Sequence, residues 1–321
     1  MYHIKQKPED FIVEEISKNL SFEKGNYTYF ILEKKNWNTR EAIKAIASRL
    51  RMREKYFNIA GVKDKKAITK QYVSAFKVNS EKLQNLKIKD ITITVLGKGK
   101  ERLKLGQLQG NNFTIRVRNV EKEPEKINFI ENYYDEQRFG GKNKILGRAL
   151  VKKEFRKACW ALRLKWEERD YIGALRKLGK DILRFYVNSY QSYLFNRAAE
   201  EYLKTKYQKY SKISYSQGIF IFSNEQTKNE KIPIFGFLTE IKNKKLKEIY
   251  EKIMKEDKIK KEDFIIKQIP ELSSEGGERN LFVDVKDLKI EKENEKTFLV
   301  SFSLPPGSYA TIVIKKIFTF C

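Results

Sequence analysis

Asp64 is a candidate for chemistry, because it is a single carboxylate within a strongly basic segment. The segment is "AGVKDKKAITKQ", residues 60–71, and its lysines are Lys63, Lys65, Lys66 and Lys70. Nearby cations lower the pKa of a carboxyl group and keep it ionised, which a nucleophile or a general base requires. Gly61 permits a tight turn that would present Asp64 at the end of a strand. An aspartate that only hydrogen-bonds to its own turn would fit the same spacing.

Aromatic side chains next to amide side chains form a second set of candidates. They occur in "NYYDEQRFG", "NSYQSYLFN" and "PPGSYAT". Aromatic faces stack on nucleobases, and Asn and Gln side chains hydrogen-bond to base edges. In the second segment, the helical spacing of Tyr190, Tyr193 and Leu194 is equally typical of a buried core. Both interpretations are compatible with that spacing.

The net charge indicates a polyanionic partner. The 321 residues include 67 Lys and Arg against 42 Asp and Glu, which gives a net charge of +25. Such a surplus repels itself unless a polyanion neutralises it, and nucleic acid is the usual one. A lysine-rich proteome with ion-pair networks for high temperature would produce a similar composition.

Cysteine, histidine and glycine patterns exclude several classes of protein. Cys159 and Cys321 are too few for a zinc framework or a disulfide scaffold. His3 is the single histidine, so histidine-assisted nucleophilic catalysis would depend on one residue near a terminus. Neither a P-loop nor a dinucleotide-binding glycine motif occurs. With no long apolar run and no signal peptide, we expect a soluble protein of the reduced cytoplasm.

Hydrophobic periodicity predicts an α+β fold with strands at both ends and a helical middle. Alternation predicts strands in "DFIVEEI", "YTYFILEKKNW", "AITKQYVSAF", "DITITVL", "NNFTIRVRNV", "GIFIFS", "NLFVDVKDLKI", "KTFLVSFSL" and "SYATIVIKKI". Helical spacing predicts helices in "NTREAIKAIASRL", capped by Asn38, and in "EKINFIENYYDEQRF", "RALVKKEFRKACWALRLKW", "DILRFYVNSYQSYLFNRAAEEYL" and "KNKKLKEIYEKIM". This order indicates a β-rich domain interrupted by an inserted α+β domain.

One strand carries a cationic face. In "NNFTIRVRNV", Phe113, Ile115 and Val117 should point inward, while Thr114, Arg116 and Arg118 point outward. An RNA backbone could cover such a face, and a solvated surface would have the same pattern.

Eight patterns, taken together and in order, resemble the TruD family of tRNA pseudouridine synthases. They are "KPEDFIVEE", "NTR", "AGVKDKKAITKQ", "GNNFTIRVR", "NYYDEQRFG", "YQSYLFN", "GGERN" and "LPPGSYATIVIKKI". The resemblance implies a pseudouridine-synthase catalytic domain with a mixed, mainly antiparallel sheet. It places that domain at residues 1–157 and 284–321, with an inserted TRUD domain at 158–283.

The resemblance also implies roles for particular residues. Asp64 would be the catalytic aspartate and Lys5 an active-site lysine. The implied substrate contacts are Phe11, Asn132, Tyr134 and Tyr309, of which Tyr134 and Tyr309 stand where the family often has Phe. Cations that could follow the RNA backbone are Lys63, Lys66, Arg116, Arg118 and Arg138.

The reaction implied is the isomerisation of uridine to pseudouridine in tRNA, at position 13, which needs neither a metal nor an organic cofactor. Asp64 would attack the sugar or remove its 2′ proton, and both routes remain open. The alternative is a non-catalytic RNA-binding protein on the same fold, and a ribosome-associated role is a third. We expect a monomer, since a lysine-rich surface repels its own copies, with no obligate protein partner and no membrane association.

Overall fold

A computed structural model describes residues 2–17, 20–104, 106–227 and 230–318. Its strands are β1 Phe11–Ser17, β2 Tyr27–Lys35, β3 Phe57–Ile59, β4 Ile68–Phe76, β5 Ile91–Gly99, β6 Leu108–Arg118, β7 Phe129–Glu131, β8 Tyr210–Tyr215, β9 Gly218–Ser223, β10 Lys231–Ile234, β11 Gly277–Asn280, β12 Phe282–Asp284, β13 Lys286–Asn294 and β14 Thr297–Leu304. Its helices are α1 Thr39–Arg49, α2 Ser80–Gln84, α3 Glu136–Phe139, α4 Asn143–Val151, α5 Phe155–Ala161, α6 Tyr171–Arg176, α7 Lys180–Lys206, α8 Lys244–Asp257 and α9 Ala310–Ile317.

The chain divides into two compact units. The first contains residues 1–128 and 284–310, and the second contains residues 129–283 and 311–320. The family resemblance implied a catalytic domain at residues 1–157 and 284–321 and an inserted domain at 158–283. Residues 129–157 group with the second unit because α4 packs tightly on α7, where a Cβ on Gly147 would lie 2.0 Å from the carbonyl oxygen of Tyr186. The limits of the inserted domain remain a prediction.

The first unit is built on one mixed, mainly antiparallel sheet, which confirms the predicted fold class. Its strand order is β13-β14-β6-β1-β4-β2-β5, with β3 paired to β4. The β1–β4 pair is parallel, with Ile12 opposite Ile68, and the other pairs are antiparallel. Helix α1 covers one face of this sheet, and the side chain of Asn38 caps it by accepting from the Arg40 amide at 2.9 Å.

Side chains on one face of β2 form part of the core beneath α1. Phe30 and Leu32 are fully buried against α1, and Lys34 follows them in the same phase and is also fully buried. Successive side chains of a strand point to opposite faces, so Lys34 extends the apolar face rather than the exposed one. The core therefore ends in a buried cation at the carboxyl end of β2.

Three sequence predictions of secondary structure are wrong. "EKINFIENYYDEQRF" contains β7 and only the short helix α3, and "SYATIVIKKI" ends in helix α9 rather than in a strand. The predicted single helix "RALVKKEFRKACWALRLKW" breaks between α4 and α5, where Lys153 has a positive φ of 57°. In the first two segments a tertiary contact overrides local preference, because β7 pairs with β12 and Lys316 of α9 binds Glu131 of β7.

A buried ion pair joins helix α9 to β7 within the second unit. Lys316 Nζ lies 3.0 Å from Glu131 Oε2 and 3.6 Å from the centroid of the Phe129 ring. Both charged side chains are almost completely buried, and Glu131 also accepts from the Ser223 amide at 2.8 Å. Burial raises the pKa of Glu131 and lowers that of Lys316, so each charge depends on the other.

We predict that Lys316→Met destabilises the protein strongly, because it leaves the Glu131 carboxylate buried without its counter-charge. The free energy of unfolding should fall by about 3–5 kcal/mol in urea titrations at neutral pH. The control is Lys245→Met, which removes an exposed i,i+3 pair with Glu248 and should cost no more than about 0.5 kcal/mol. Equal decreases in the free energy of unfolding of the two variants would show that the buried ion pair is no more important for stability than an exposed one.

Candidate active site

Asp64, Lys5 and Phe11 lie together in the first unit. Lys5 Nζ donates a hydrogen bond to Asp64 Oδ2 at 2.8 Å, and the same ammonium lies 3.9 Å from the centroid of the Phe11 ring. The Lys5 and Asp64 side chains remain 21% and 31% exposed, so a ligand can reach them. Lys5 has a positive φ of 58°, a conformation that is uncommon for a residue other than glycine and often occurs at functional sites.

The parallel pairing of β1 with β4 brings Lys5 and Asp64 to one edge of the sheet, the edge at which these two strands begin. Lys5 lies in the segment before β1, and Asp64 lies in the loop between β3 and β4. Parallel strands begin at the same edge, so the segments that lead into them meet there. Residues 59 positions apart in sequence therefore form an ion pair.

Three phenylalanines support this edge from within the sheet. The Phe11 ring meets the Phe113 ring edge to face with centroids 6.3 Å apart, and the Phe113 ring stacks on that of Phe302 at 5.5 Å. Their strands are neighbours, with Phe113 directly opposite Phe302. Phe11 is only 3% exposed, so its ring holds the Lys5 ammonium and presents little free surface. Such rings make a rigid apolar floor under the ion pair.

Buried polar side chains hold the loop that carries Asp64, and the sequence interpretation missed them. Lys34 Nζ donates to the Asp64 carbonyl oxygen at 3.0 Å, and the Lys63 amide donates to Thr39 Oγ1 at 3.0 Å. Gln71 Nε2 donates to the Gly61 carbonyl oxygen at 3.2 Å. A detectable signal was a lysine at position 34, in phase with the buried residues of β2.

Lys63 points into the protein rather than to a ligand. Its Nζ lies 2.8 Å from Glu15 Oε1 and donates to Asn111 Oδ1 at 2.6 Å. The side chains of Lys63 and Glu15 are 9% and 1% exposed, and Glu15 also accepts from the Tyr72 amide at 2.9 Å. Lys63 thus joins the Asp64 loop to β1 and β6, whereas Lys66 is exposed.

Arg116 and Arg118 lie side by side on β6 with acidic partners. Arg116 makes two hydrogen bonds to the carboxylate of Glu293, each of 2.7 Å, and Arg118 donates to Asp10 Oδ1 at 2.8 Å. Burial raises the pKa of Asp10, but the hydrogen bonds from Arg118 and the Lys7 amide outweigh it, so the net pKa lies below its ordinary value. The inward and outward faces predicted for β6 are confirmed by burial, and the outward arginines are engaged in ion pairs.

Asn132, Tyr134 and Arg138 belong to the second unit, where Arg279 organises the first two. Arg279 donates to the backbone oxygen and to Oδ1 of Asn132, at 2.8 and 2.6 Å. Its guanidinium lies 4.2 Å from the centroid of the Tyr134 ring, and that of Arg138 lies 5.6 Å from the same centroid. Arg279 was missed as a site residue, although it stands in the quoted pattern "GGERN".

Tyr309 lies in the first unit, half-buried, immediately before α9. Within the described residues, no three His, Cys, Asp or Glu side chains come together as a metal site would require. Over the same part of the chain, no helix is both long enough and apolar enough to span a membrane.

The chain is similar over nearly its whole length to proteins of one family. The family model described as tRNA pseudouridine synthase D (TruD) matches residues 2–166 and 161–317. The chain is 31% identical to the tRNA pseudouridine synthase D of Aquifex aeolicus, over 98% of this chain and 97% of that protein. It is also 31% identical to the probable tRNA pseudouridine synthase D of Methanopyrus kandleri, over 92% of this chain and 86% of that protein.

A solved structure has the same fold. The crystal structure of the putative tRNA pseudouridine synthase D (TruD) from Methanosarcina mazei matches with a TM-score of 0.70 at 25% identity, over 98% of this chain and 93% of that one. The family match and the shared fold therefore define a pseudouridine synthase, an isomerase. Within that class, the chain belongs to the TruD family of tRNA pseudouridine synthases.

We predict that Lys63 and Lys66 respond differently to replacement by alanine. Lys66→Ala should weaken binding of an unmodified tRNA transcript and reduce the slope of log affinity against log salt by about 1. Lys63→Ala should instead lower the free energy of unfolding by about 3–5 kcal/mol, because Glu15 loses its buried counter-charge. Lys24→Ala, at an exposed lysine before β2, serves as the control for general charge loss.

The measurements are salt-dependent binding titrations and urea unfolding of all three variants. A Lys63→Ala variant with unchanged stability and a reduced salt slope would show that Lys63 leaves Glu15 to contact phosphate.

Proposed function

We propose that this protein converts uridine to pseudouridine in tRNA, at position 13, with Asp64 as the catalytic carboxylate and without a metal or organic cofactor. The observation that carries the proposal is the accessible ion pair between Lys5 and Asp64 on the Phe11 ring. A metal-independent isomerisation of a nucleoside requires one ionised carboxylate near the sugar, and this pair supplies it.

The chemistry balances without any other reagent. The bond from C1′ of the ribose to N1 of the uracil breaks, the uracil turns, and its C5 joins C1′. The proton displaced from C5 leaves the ring, and N1 of the product carries a proton, so the reaction is an isomerisation with no net redox change. Asp64 acts by one of two routes. Its carboxylate either displaces N1 from C1′, with the C1′–O bond forming as the C1′–N1 bond breaks and being replaced later by the bond to C5, or it takes the 2′ proton, which expels the uracil and leaves a C1′–C2′ double bond, and returns that proton to C2′ when C5 adds to C1′.

Lys5 has two roles in this proposal. Its ammonium keeps the Asp64 carboxylate ionised, since an opposite charge at 2.8 Å favours the charged form. When the glycosidic bond breaks, negative charge develops on the departing uracil, and the same cation is placed to stabilise it. The Phe11 ring fixes the position of this ammonium through a cation–π contact.

The remaining proposed contacts hold the target nucleotide. A base must leave its stack before it can react, at a cost of about a few kcal/mol. Aromatic stacking offsets that cost by about 1–3 kcal/mol per base, and Tyr134 and Tyr309 are the proposed stacking rings. Phe11, whose ring is 3% exposed, is proposed to contact the base only through the part of the ring that Lys5 leaves uncovered. Asn132 is the proposed polar contact, and its amide is oriented by Arg279. Tyrosine in place of phenylalanine at these two positions keeps the aromatic face and adds a hydroxyl that can form a hydrogen bond.

The phosphates of the RNA are proposed to contact cations at the surface. Lys66, which is exposed, fits this role best. Arg138 is half-buried and donates to Ser192 Oγ at 3.1 Å, and Arg116 and Arg118 would have to exchange their carboxylate partners for phosphate. Lys63 would have to leave Glu15. A lysine-rich surface opposes self-association, which supports action as a monomer, and we place the enzyme in the cytoplasm with its tRNA substrate.

We predict that Asp64→Asn abolishes turnover while leaving tRNA binding nearly intact. The substitution keeps the shape of the side chain but removes the charge, so the rate should fall by at least about 1,000-fold and the affinity should change by no more than about twofold. The assay is incubation of an unmodified tRNA transcript without added cofactor, followed by digestion and chromatography of the nucleosides.

Asp287→Asn is the matched control, because Asp287 is exposed and has a positive φ of 55°, which asparagine also adopts readily. It should retain wild-type turnover. Binding of tRNA by a folded wild-type protein that forms no pseudouridine would favour the non-catalytic RNA-binding alternative. Turnover by Asp64→Asn would remove Asp64 from the proposed role.

A further inference from the structure

We infer that Lys34 is a positioning residue for Asp64, whose buried ammonium fixes the loop backbone at Asp64 and supports the charge of its carboxylate. The inference rests on the proposed function, in which Asp64 is the catalytic group. Lys34 itself does not need to touch the substrate.

The contacts of Lys34 are with backbone oxygens at the site. Its Nζ donates to the carbonyl oxygen of Asp64 at 3.0 Å and to that of Trp37 at 2.7 Å, and the residue is completely buried. The Trp37 carbonyl lies between the end of β2 and the start of α1, so one ammonium joins that connection to the Asp64 loop. A side chain with three donors can hold both segments at once.

Two neutral side chains complete the support of the loop. Thr39 Oγ1 accepts from the Lys63 amide at 3.0 Å and donates to Gln71 Oε1 at 2.9 Å, and Gln71 donates to Gly61. Thr39 and Gln71 are both completely buried. The backbone from Gly61 to Asp64 is therefore held from β2, α1 and β4 together. The loop position that presents the Asp64 carboxylate is set by side chains of the core.

A charge at position 34 is not explained by these hydrogen bonds alone. A neutral amide can donate to two carbonyl oxygens, whereas an isolated ammonium in a core is costly to bury. The compensation comes from a nearby negative charge, and Asp64 acts on Lys34 in that sense. Because this coupling is mutual, protonated Lys34 favours the ionised form of the Asp64 carboxylate.

The electrostatic surroundings make this support dependent on pH. Burial lowers the pKa of Lys34 to about 8, the charge of Asp64 opposes that decrease, and the charge of Lys63 adds to it. The residues opposite Lys34 on the flanking strands are Thr69 and Ile91, and α1 contributes Thr39, all of them uncharged. Lys34 is thus mainly protonated at pH 7 and loses its charge as the pH rises through about 8.

The test is the pH dependence of single-turnover pseudouridine formation, with enzyme in excess over a tRNA transcript, for wild type, K34M and K35M. In the wild type, the rate should decrease with a midpoint near pH 8. K34M should be slower than wild type at pH 7 by about 10- to 100-fold, because the Asp64 loop is displaced, and its rate should lack the decrease near pH 8. Its affinity for tRNA should stay within about twofold of wild type, since no substrate contact is removed.

K35M is the matched control, because Lys35 is the next residue of β2, points to the other face, and pairs with Glu9 at a side-chain exposure of 41%. It should retain the wild-type rate and pH profile. A folded K34M with the wild-type rate at pH 7, or with the wild-type decrease near pH 8, overturns the inference. If K34M does not fold, the wild type decides, and a rate that is constant from pH 7 to 9.5 overturns it.

These results separate the inference from the proposed function. A folded wild type that forms no pseudouridine at any pH removes the proposed function itself. An active wild type with an equally active K34M removes only the role of Lys34.

Discussion

The ion pair between Lys5 and Asp64 depends on a single pairing in the sheet, that of β1 with β4. These strands are parallel, so the segments that lead into them reach the same edge, and the lysine meets the aspartate there. An antiparallel pairing of the same strands would carry Lys5 to the opposite edge from Asp64. The three phenylalanines and the buried side chains that hold the Asp64 loop can act on the ion pair only because this pairing brings Lys5 and Asp64 together. The topology of the sheet is therefore the first requirement for the candidate active site.

Lysine serves two different purposes in this chain. The chain has a net charge of +25, but three of its lysines, Lys34, Lys63 and Lys316, have side chains turned into the fold. Lys63 pairs with Glu15 and Lys316 pairs with Glu131, each in a place where the loss of one partner would leave an uncompensated charge. Lys34 differs, since it donates to two carbonyl oxygens and depends on the charge of Asp64 across the same loop. Counting basic residues therefore overestimates the surface available to RNA.

Strand and helix predictions succeeded where the hydrophobic periodicity fits only one type of secondary structure. The alternation in β1 and β6 corresponds to one buried and one open face, and the Asn38 cap of α1 forms as expected. The predictions failed at β7 and α9, where the local pattern fits both periods. There the ion pair between Glu131 and Lys316, far apart in sequence, determines which structure forms. The secondary structure of a short apolar segment depends on the residues that it contacts in the fold more than on its own local propensity.

The sequence by itself determined the fold class and the family and pointed to Asp64 as the candidate catalytic residue, because its motifs follow one another in a specific order and its strands alternate clearly. Only the tertiary structure showed that Lys63 is turned inward to Glu15, and that Lys34 lies beneath the Asp64 loop. The physical reason is that the sequence records which groups are charged but not which dielectric surrounds them. Burial and partners, which set the energy of a charge, exist only after distant strands have paired.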